Sequence, residues 1–348
     1  FVYLSDFFQM IWLADAQRAG VASAWANGFL GFGFPALLNL VTAVTGDILT
    51  SGKLIQIAGG VSLLILLPWA SLRLFGDRSG SRVAQALLAV EPVFVFAAAG
   101  ETPDLLATAL MFPGSVLAID GCERDDRRQA AYAGVLIGLA YLVRYHALLL
   151  VLALAVTLLL TSRRRPVAWL AGGFLLAALP QLAISAWVQA DPFFNLHIKS
   201  IAIGYYGTTS DFVTHTRPWT LWSIVSTSPI AVARQYALHV DRYLADIGGT
   251  AFRLAGLLLA RRGEGRPVAL AGSVMALLVL ALAMKFFTDR AILLPLVFWY
   301  VVVGRAIGTA AAGGWRRPIP AVAAVLALVI AGSSVLEAGR RGGRIRRL

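Results

Sequence analysis

Two sets of carboxylates stand immediately before long apolar runs: Asp6, and the pair Glu101 and Asp104. Acidic side chains at membrane depth are costly, so each is a functional hypothesis by default. A carboxylate in such a place can serve as a general base towards a hydroxyl. Cations occupy matching places. Lys53, Arg144, His146, Lys285 and Arg290 each begin or interrupt an apolar run. Together they suit a phosphate or pyrophosphate; singly, each also fits a side chain snorkelling to lipid headgroups. Asp104 has a second reading, because Thr-Pro-Asp ahead of Leu-Leu-Ala-Thr is a good helix start and the carboxylate can cap it. Glu91 lies within an apolar run and is expected to be buried, either protonated or paired with a basic group. The chain has no HExxH, CxxC or EF-hand spacing and a single cysteine, Cys122. No protein-built metal cage and no disulfide within the chain are expected. There is no Walker loop; Gly31, Gly33, Gly59 and Gly60 read as helix-packing or turn glycines.

These residues must be positioned by helices in a membrane. Apolar residues make up 59% of the 348, and the mean hydropathy is +0.76. A span needs roughly 20 apolar residues, and the chain holds about ten such runs. The fold expected is all-α: a polytopic helical membrane protein with amphipathic interfacial helices in its first outer loop, residues 1–50. The spans are expected from Lys53 to Leu74, Val83 to Ala99 with Glu91-Pro92 near its middle, Leu105 to Ile119, Val167 to Val188, Tyr243 to Ala260, Val268 to Ala283, Ile292 to Val303 and Ala321 to Val335. The run from Ala130 to Leu160 is twice too long for one helix and reads as two short helices meeting at Arg144-Tyr145-His146. A long aromatic-rich loop, Asp191 to Asp241, lies between. The chain opens at Phe1, already within the amphipathic stretch, so a further span upstream is expected.

The net charge of +12 does not point to nucleic acid. The arginines fall in short clusters between apolar runs, which is the topogenic pattern of membrane loops. Alternating the spans puts the clusters Arg73–Arg82, Arg124–Arg128, Arg163–Arg165, Arg261–Arg266 and Arg305–Arg317 on one side, which is then the cytoplasm. The opposite face receives Asp6, Glu101, Asp104, Arg144, Tyr145, His146, the aromatic loop and Lys285 to Arg290. The basic tail, Arg340 to Arg347, breaks the pattern: alternation puts it outside, which implies either a continuation or one span more or fewer. The stretch Asp6 to Gly46 has helically spaced Phe, Ile, Trp and Leu, as in a helix on a membrane surface. Trp187, Phe193, Phe194, Tyr205, Tyr206, Trp219 and Trp222 form either an interfacial belt or a cover for the lipid tail and sugar of a substrate.

The pattern resembles the GT-C class of integral membrane glycosyltransferases, and within it the family of protein O-mannosyltransferases and lipid A aminoarabinose transferases. The likeness rests on Asp6 followed by Trp25-Ala-Asn-Gly-Phe and Pro35-Ala-Leu-Leu; on Thr102-Pro103-Asp104; on Gly138-Leu-Ala-Tyr-Leu-Val-Arg144-Tyr145-His146; on Asp289-Arg290-Ala-Ile-Leu-Leu-Pro295; and on Asp191-Pro-Phe-Phe-Asn195 through Tyr206-Gly207. It covers most of the chain in order. It departs where the family's acidic pair in the first loop is here Asp6-Phe7, and where a family arginine is here Lys53.

The resemblance implies an inverting glycosyltransferase of the plasma membrane, acting on the extracytoplasmic face. Its donor would be a polyprenyl-phosphate-linked sugar, and its acceptor hydroxyl would belong to a glycolipid, polysaccharide or protein. Asp6 would be the base. Lys53, Arg144 and Arg290 would stabilise the leaving phosphate. Tyr145 and His146 would line the substrate site. Asp104 and Glu101 would orient the acceptor or, as the lesser alternative, hold a divalent cation through water. No cofactor is expected. The rival reading is a transporter or lipid flippase, since broken helices and buried charges also mark transporters. Against it stand the lack of an obvious internal repeat and the gathering of polar groups on one face. A non-catalytic membrane scaffold is a third reading, and it would not need the outer acids and cations to converge.

Overall fold

The computed structural model describes residues 2–28, 30–76, 78, 80–100, 102–160, 164–193, 220–248, 265–283 and 292–312. Among these residues every regular element is helical. In chain order they are α1 (Val2–Arg18), α2 (Gly33–Thr45), α3 (Ile48–Phe75), α4 (Ser81–Ala89), α5 (Pro92–Ala99), α6 (Asp104–Glu123), α7 (Arg127–Val143), α8 (Ala147–Leu160), α9 (Arg164–Gln189), α10 (Leu221–Thr227), α11 (Pro229–Gly248), α12 (Gly265–Ala283) and α13 (Leu293–Ala312), with a short 3-10 turn over Ala22–Trp25. This is the helical architecture of a polytopic membrane protein.

Local chemistry sets several boundaries. Gly46 ends α2 with φ +74°, a left-handed conformation that costs glycine little. Asp47 then caps α3, accepting from the Thr50 amide at 2.7 Å. Asp126 caps α7, accepting from the Arg128 and Gln129 amides at 2.9 and 3.2 Å. Hydrogen bonds to these exposed carboxylates, chiefly from Thr50 and from the Gln129 amide respectively, hold both below the usual aspartate value.

Among the described residues, three helices are long and apolar enough to cross a membrane: α3, α6 and most of α9. The pair α4 and α5 makes a fourth if taken as one span bent by 60°. The continuous span expected from Val83 to Ala99 is therefore broken at Glu91-Pro92. Pro92 starts α5 as its first residue, a place where its missing N–H costs nothing, and Glu91 takes extended backbone before it. The run from Ala130 to Leu160 divides at Arg144-Tyr145-His146, as expected. The long loop read from Asp191 to Asp241 is helical from Leu221 onwards, and α11 runs through Asp241 without a break. Its inward positions, Val232, Tyr236, His239 and Val240, recur at helical spacing between polar residues, so no window there is apolar enough to read as a span. The expected span Ala321 to Val335 and the tail lie outside the described residues.

The central helix is α6, buried along nearly its whole length and on all sides. It packs against α3 and α7, and α7 packs in turn against α9. The α7–α9 contact is close because it is made at glycines. A Cβ at Gly134 would lie 2.1 Å from the Leu170 carbonyl oxygen, and one at Gly173 would lie 2.2 Å from that of Ala131. The outer faces of α2, α3 and α9 expose Leu40, Val44, Ile57, Ile65, Leu176 and Leu179, a rim suited to lipid.

Helices α3 and α6 run parallel with an almost constant pairing. Gly59, well inside α3, packs on the backbone of Leu105 and Leu106 at the start of α6. At their ends Arg73 Nη1 donates to Asp120 Oδ2 at 3.0 Å, and Arg124 Nε meets Asp120 Oδ1 at 2.8 Å. Arg73 and Arg124, from two of the arginine clusters, thus sit at one end of the bundle. The start of α6 and the α7–α8 break sit at the other.

Candidate active site

At that second end two of the carboxylates and cations picked from the sequence meet. Arg144 leaves α7 in extended backbone, with φ −143° and ψ 121°. Its Nη2 lies 2.9 Å from Oδ1 and 3.0 Å from Oδ2 of Asp104. The side chains are 15% and 8% exposed, so solvent screens this pair weakly. Asp104 is the first residue of α6 and not its cap; the capping position is Pro103, which makes no side-chain capping bond. The N-terminal end of a helix favours a negative charge, and here the carboxylate is directed to Arg144.

The break itself is built to hold Arg144. The carbonyls of Arg144, Tyr145 and His146 accept from Ala147, Leu148 and Leu149 at 3.0–3.1 Å, which starts α8 at once. Tyr145 is buried, and its ring packs on Tyr141 with centroids 5.3 Å apart. Tyr141 packs in turn on Phe174 of α9 at 5.6 Å. His146 is half-buried.

The first loop is stitched against the same end. A Cβ on Gly31 would lie 1.9 Å from the carbonyl oxygen of Leu142, two residues before Arg144. Gln181 of α9 accepts from the Phe32 amide at 3.0 Å, and Gln189 Nε2 donates to the Ala26 carbonyl at 3.0 Å. Gln17 of α1 donates to the Ala24 and Phe32 carbonyls, and Asn39 Nδ2 donates to that of Ala14 at 2.8 Å. Polar side chains reaching the backbone of Ala24, Ala26 and Phe32 therefore fix the first loop beside the α7–α8 break. Gln181 and Gln189 carry no motif in the sequence. Their signal is a buried amide within an otherwise apolar run.

The other expected site residues fall as follows. Asp6 lies in α1, just before the buried Phe7, and its side chain is outside the described part. Lys53 is exposed in the second turn of α3, while its neighbours Gly52, Ile55 and Gln56 face inward. Glu101 and Arg290 lie outside the described residues, as does most of the aromatic loop. Glu91 is buried and accepts a hydrogen bond from the Tyr300 hydroxyl of α13. Its burial is as expected, and a tyrosine is among its partners. Phe298 on the same helix packs edge-on against Phe112 of α6, with centroids 5.1 Å apart.

Comparison with known proteins bears on the fold and on part of the sequence. Residues 31–187 match the model of a family described as dolichyl-phosphate-mannose-protein mannosyltransferase. Two solved structures of ArnT from Cupriavidus metallidurans share the fold. The apo form aligns with TM-score 0.58 at 14% identity over 86% of this chain and 54% of that one. The form bound to undecaprenyl phosphate aligns with TM-score 0.60 at 15% identity over 94% of this chain and 64% of that one. The chain thus spans between about half and two thirds of those proteins' length. No curated protein matches it. The matched residues 31–187 include the closely packed Gly31, both members of the Asp104–Arg144 pair and the whole α7–α8 break. The chain has the polytopic helical fold of ArnT, and over residues 31–187 it carries the sequence pattern of the dolichyl-phosphate-mannose-protein mannosyltransferases.

Proposed function

We propose that the chain is an inverting glycosyltransferase that moves a sugar from a polyprenyl-phosphate donor to an acceptor hydroxyl at the outer face of the plasma membrane. The observation that carries this reading is the buried Asp104–Arg144 pair, set beside the docked first loop within the segment that matches the mannosyltransferase model. The undecaprenyl phosphate bound by ArnT, a protein of the same fold, supports a lipid-phosphate donor.

In this mechanism the acceptor oxygen attacks the anomeric carbon while the bond from that carbon to the phosphate oxygen breaks. The acceptor proton passes to the Asp6 carboxylate, and polyprenyl phosphate leaves with the bond's electron pair. General-base assistance of this kind is worth roughly 10²–10⁴ in rate. Lys53 and Arg290 stabilise the charge growing on the phosphate. Arg144, already balanced by Asp104, holds that carboxylate in place, and Asp104 with Glu101 orients the acceptor. Tyr145 and His146 line the site.

The test is transfer of radiolabelled sugar from undecaprenyl-phosphate-linked hexoses and pentoses by the full chain in nanodiscs. Asp6→Asn and Asp104→Asn, checked to be folded, are each expected to lose at least roughly 100-fold in rate. Full activity in both variants refutes the mechanism.

A further inference from the structure

One peptide of the first loop ties three helices together. Phe32 stands directly before α2, as its capping residue. Its N–H donates to Oε1 of Gln181, on α9, at 3.0 Å. Its carbonyl accepts from the Ala36 amide of α2 at 3.0 Å and from Nε2 of Gln17, at the end of α1, at 3.4 Å. Its neighbours Gly31 and Gly33 both pack on Leu142, near the end of α7. Gln181 and Ser185 are 1% and 2% exposed, and Gln181 Nε2 donates to Ser185 Oγ at 3.1 Å. That second bond occupies the donor end of the amide, so the acceptor end is the one presented to Phe32. Helices α1 and α2 are joined in turn, because Asn39 Nδ2 donates to the Ala14 carbonyl at 2.8 Å. The far end of α2 is tied to α3 through the Thr42 and Ser51 hydroxyls, 3.1 Å apart. Its near end is tied to α9 through Gln181.

We infer that Gln181 is a positioning residue for the proposed transfer, with Ser185 orienting its amide: through Phe32 it sets where α1, and Asp6 on it, stands against Arg144 at the end of α7. This rests on the transferase reading above. Apolar packing is non-directional and lets helices slide. A hydrogen bond holds only over a narrow range of distance and angle, so it fixes a position. The two effects of losing it differ in size. Side-chain hydrogen bonds between helices in a membrane add little to stability on average. A displacement of about 1 Å between reacting groups can cost about 100-fold in rate. Without the Gln181 acceptor the Phe32 N–H would be left unpaired, and the loop must shift to find it another partner. The consequence is therefore expected in the rate of transfer and hardly in the fold.

The test uses the full chain in nanodiscs and whichever undecaprenyl-phosphate-linked sugar the wild-type protein transfers. Gln181→Leu is expected to lower kcat roughly 10- to 100-fold, to leave KM for the sugar lipid within about 2-fold, and to unfold close to the wild-type temperature. Hydrogen exchange should quicken in the peptide that contains Phe32. Gln181→Glu keeps an acceptor for the Phe32 amide and should recover most of the rate. Ser185→Ala, a small truncation, should lower kcat by less, and the double variant Gln181→Leu/Ser185→Ala should be no slower than Gln181→Leu, because both act through one bond. Wild-type kcat in Gln181→Leu despite faster exchange at Phe32 overturns the inference and leaves the transferase reading standing. Losses that multiply in the double variant, or a Glu variant as slow as the Leu one, likewise overturn it, since they mark general loosening. A wild-type protein that transfers none of these sugars overturns the transferase reading itself, and this inference with it.

Discussion

Replacing Arg144 by methionine measures what the Asp104–Arg144 pair does for the fold. The guanidinium meets both carboxylate oxygens at 2.9 and 3.0 Å, and both side chains are mostly out of solvent. Removing one member of a buried pair leaves the other charge uncompensated and costs about 3–5 kcal/mol. The two single variants should not cost the same. In Arg144→Met the stranded carboxylate still stands in the first turn of α6, where the helix end returns about 0.3–1 kcal/mol. In Asp104→Asn the stranded cation has no such help, so it should be the worse variant by about that amount. The double variant Asp104→Asn/Arg144→Met leaves no charge and should fall short of the summed single costs by about 2–4 kcal/mol. Equilibrium unfolding of the full chain in bicelles supplies all four corners of the cycle. A coupling below about 0.5 kcal/mol, the size typical of an exposed pair, would refute the claim that solvent is excluded from this site.

Three further outcomes are expected. Tyr300→Phe removes a donor from the buried Glu91 carboxyl and should destabilise by about 1–3 kcal/mol; an unchanged unfolding midpoint would mean that the hydroxyl contributes nothing. Gly31→Ala forces a Cβ to within 1.9 Å of the Leu142 carbonyl oxygen, so the first loop must lift from the α7–α8 break at a cost of about 1–3 kcal/mol, which a changed Trp25 emission would report. Asp47 and Asp126 both have lowered pKa values as helix caps. Each therefore favours the folded chain above the unfolded aspartate value of about 3.9, and that contribution fades as pH falls through the lowered folded value. The unfolding temperature of wild type should thus drop on acidification below about pH 4, and by more than in Asp47→Asn/Asp126→Asn; equal acid sensitivity would refute the assignment.

The helices and their class were legible because apolar runs and charged punctuation act locally. The division of Ala130–Leu160 followed from its length, which exceeds one span, and its place from the polar Arg144-Tyr145-His146 that interrupts the run. The bend at Glu91-Pro92 was missed for the opposite reason: hydropathy averages over a proline, and two short helices together look like one span. Asp104 was recognisable as important, but its two readings differ by a partner forty positions away, which no local pattern reveals.

Asp120 bridges Arg73 and Arg124 and so ties the ends of two helices distant in sequence. These are arginines of the clusters expected to orient the chain during insertion. Orientation responds to the count of basic residues near the ends of spans and hardly at all to the acids beside them, so Asp120 can act as a strut without spoiling the topological signal. It follows that inserting orientation and assembling the bundle are not separable by mutation here. Relocating Arg73 to invert the chain would also cut a tie between α3 and α6. Asp120→Ala should loosen that end of the bundle while leaving the direction of every span as it was.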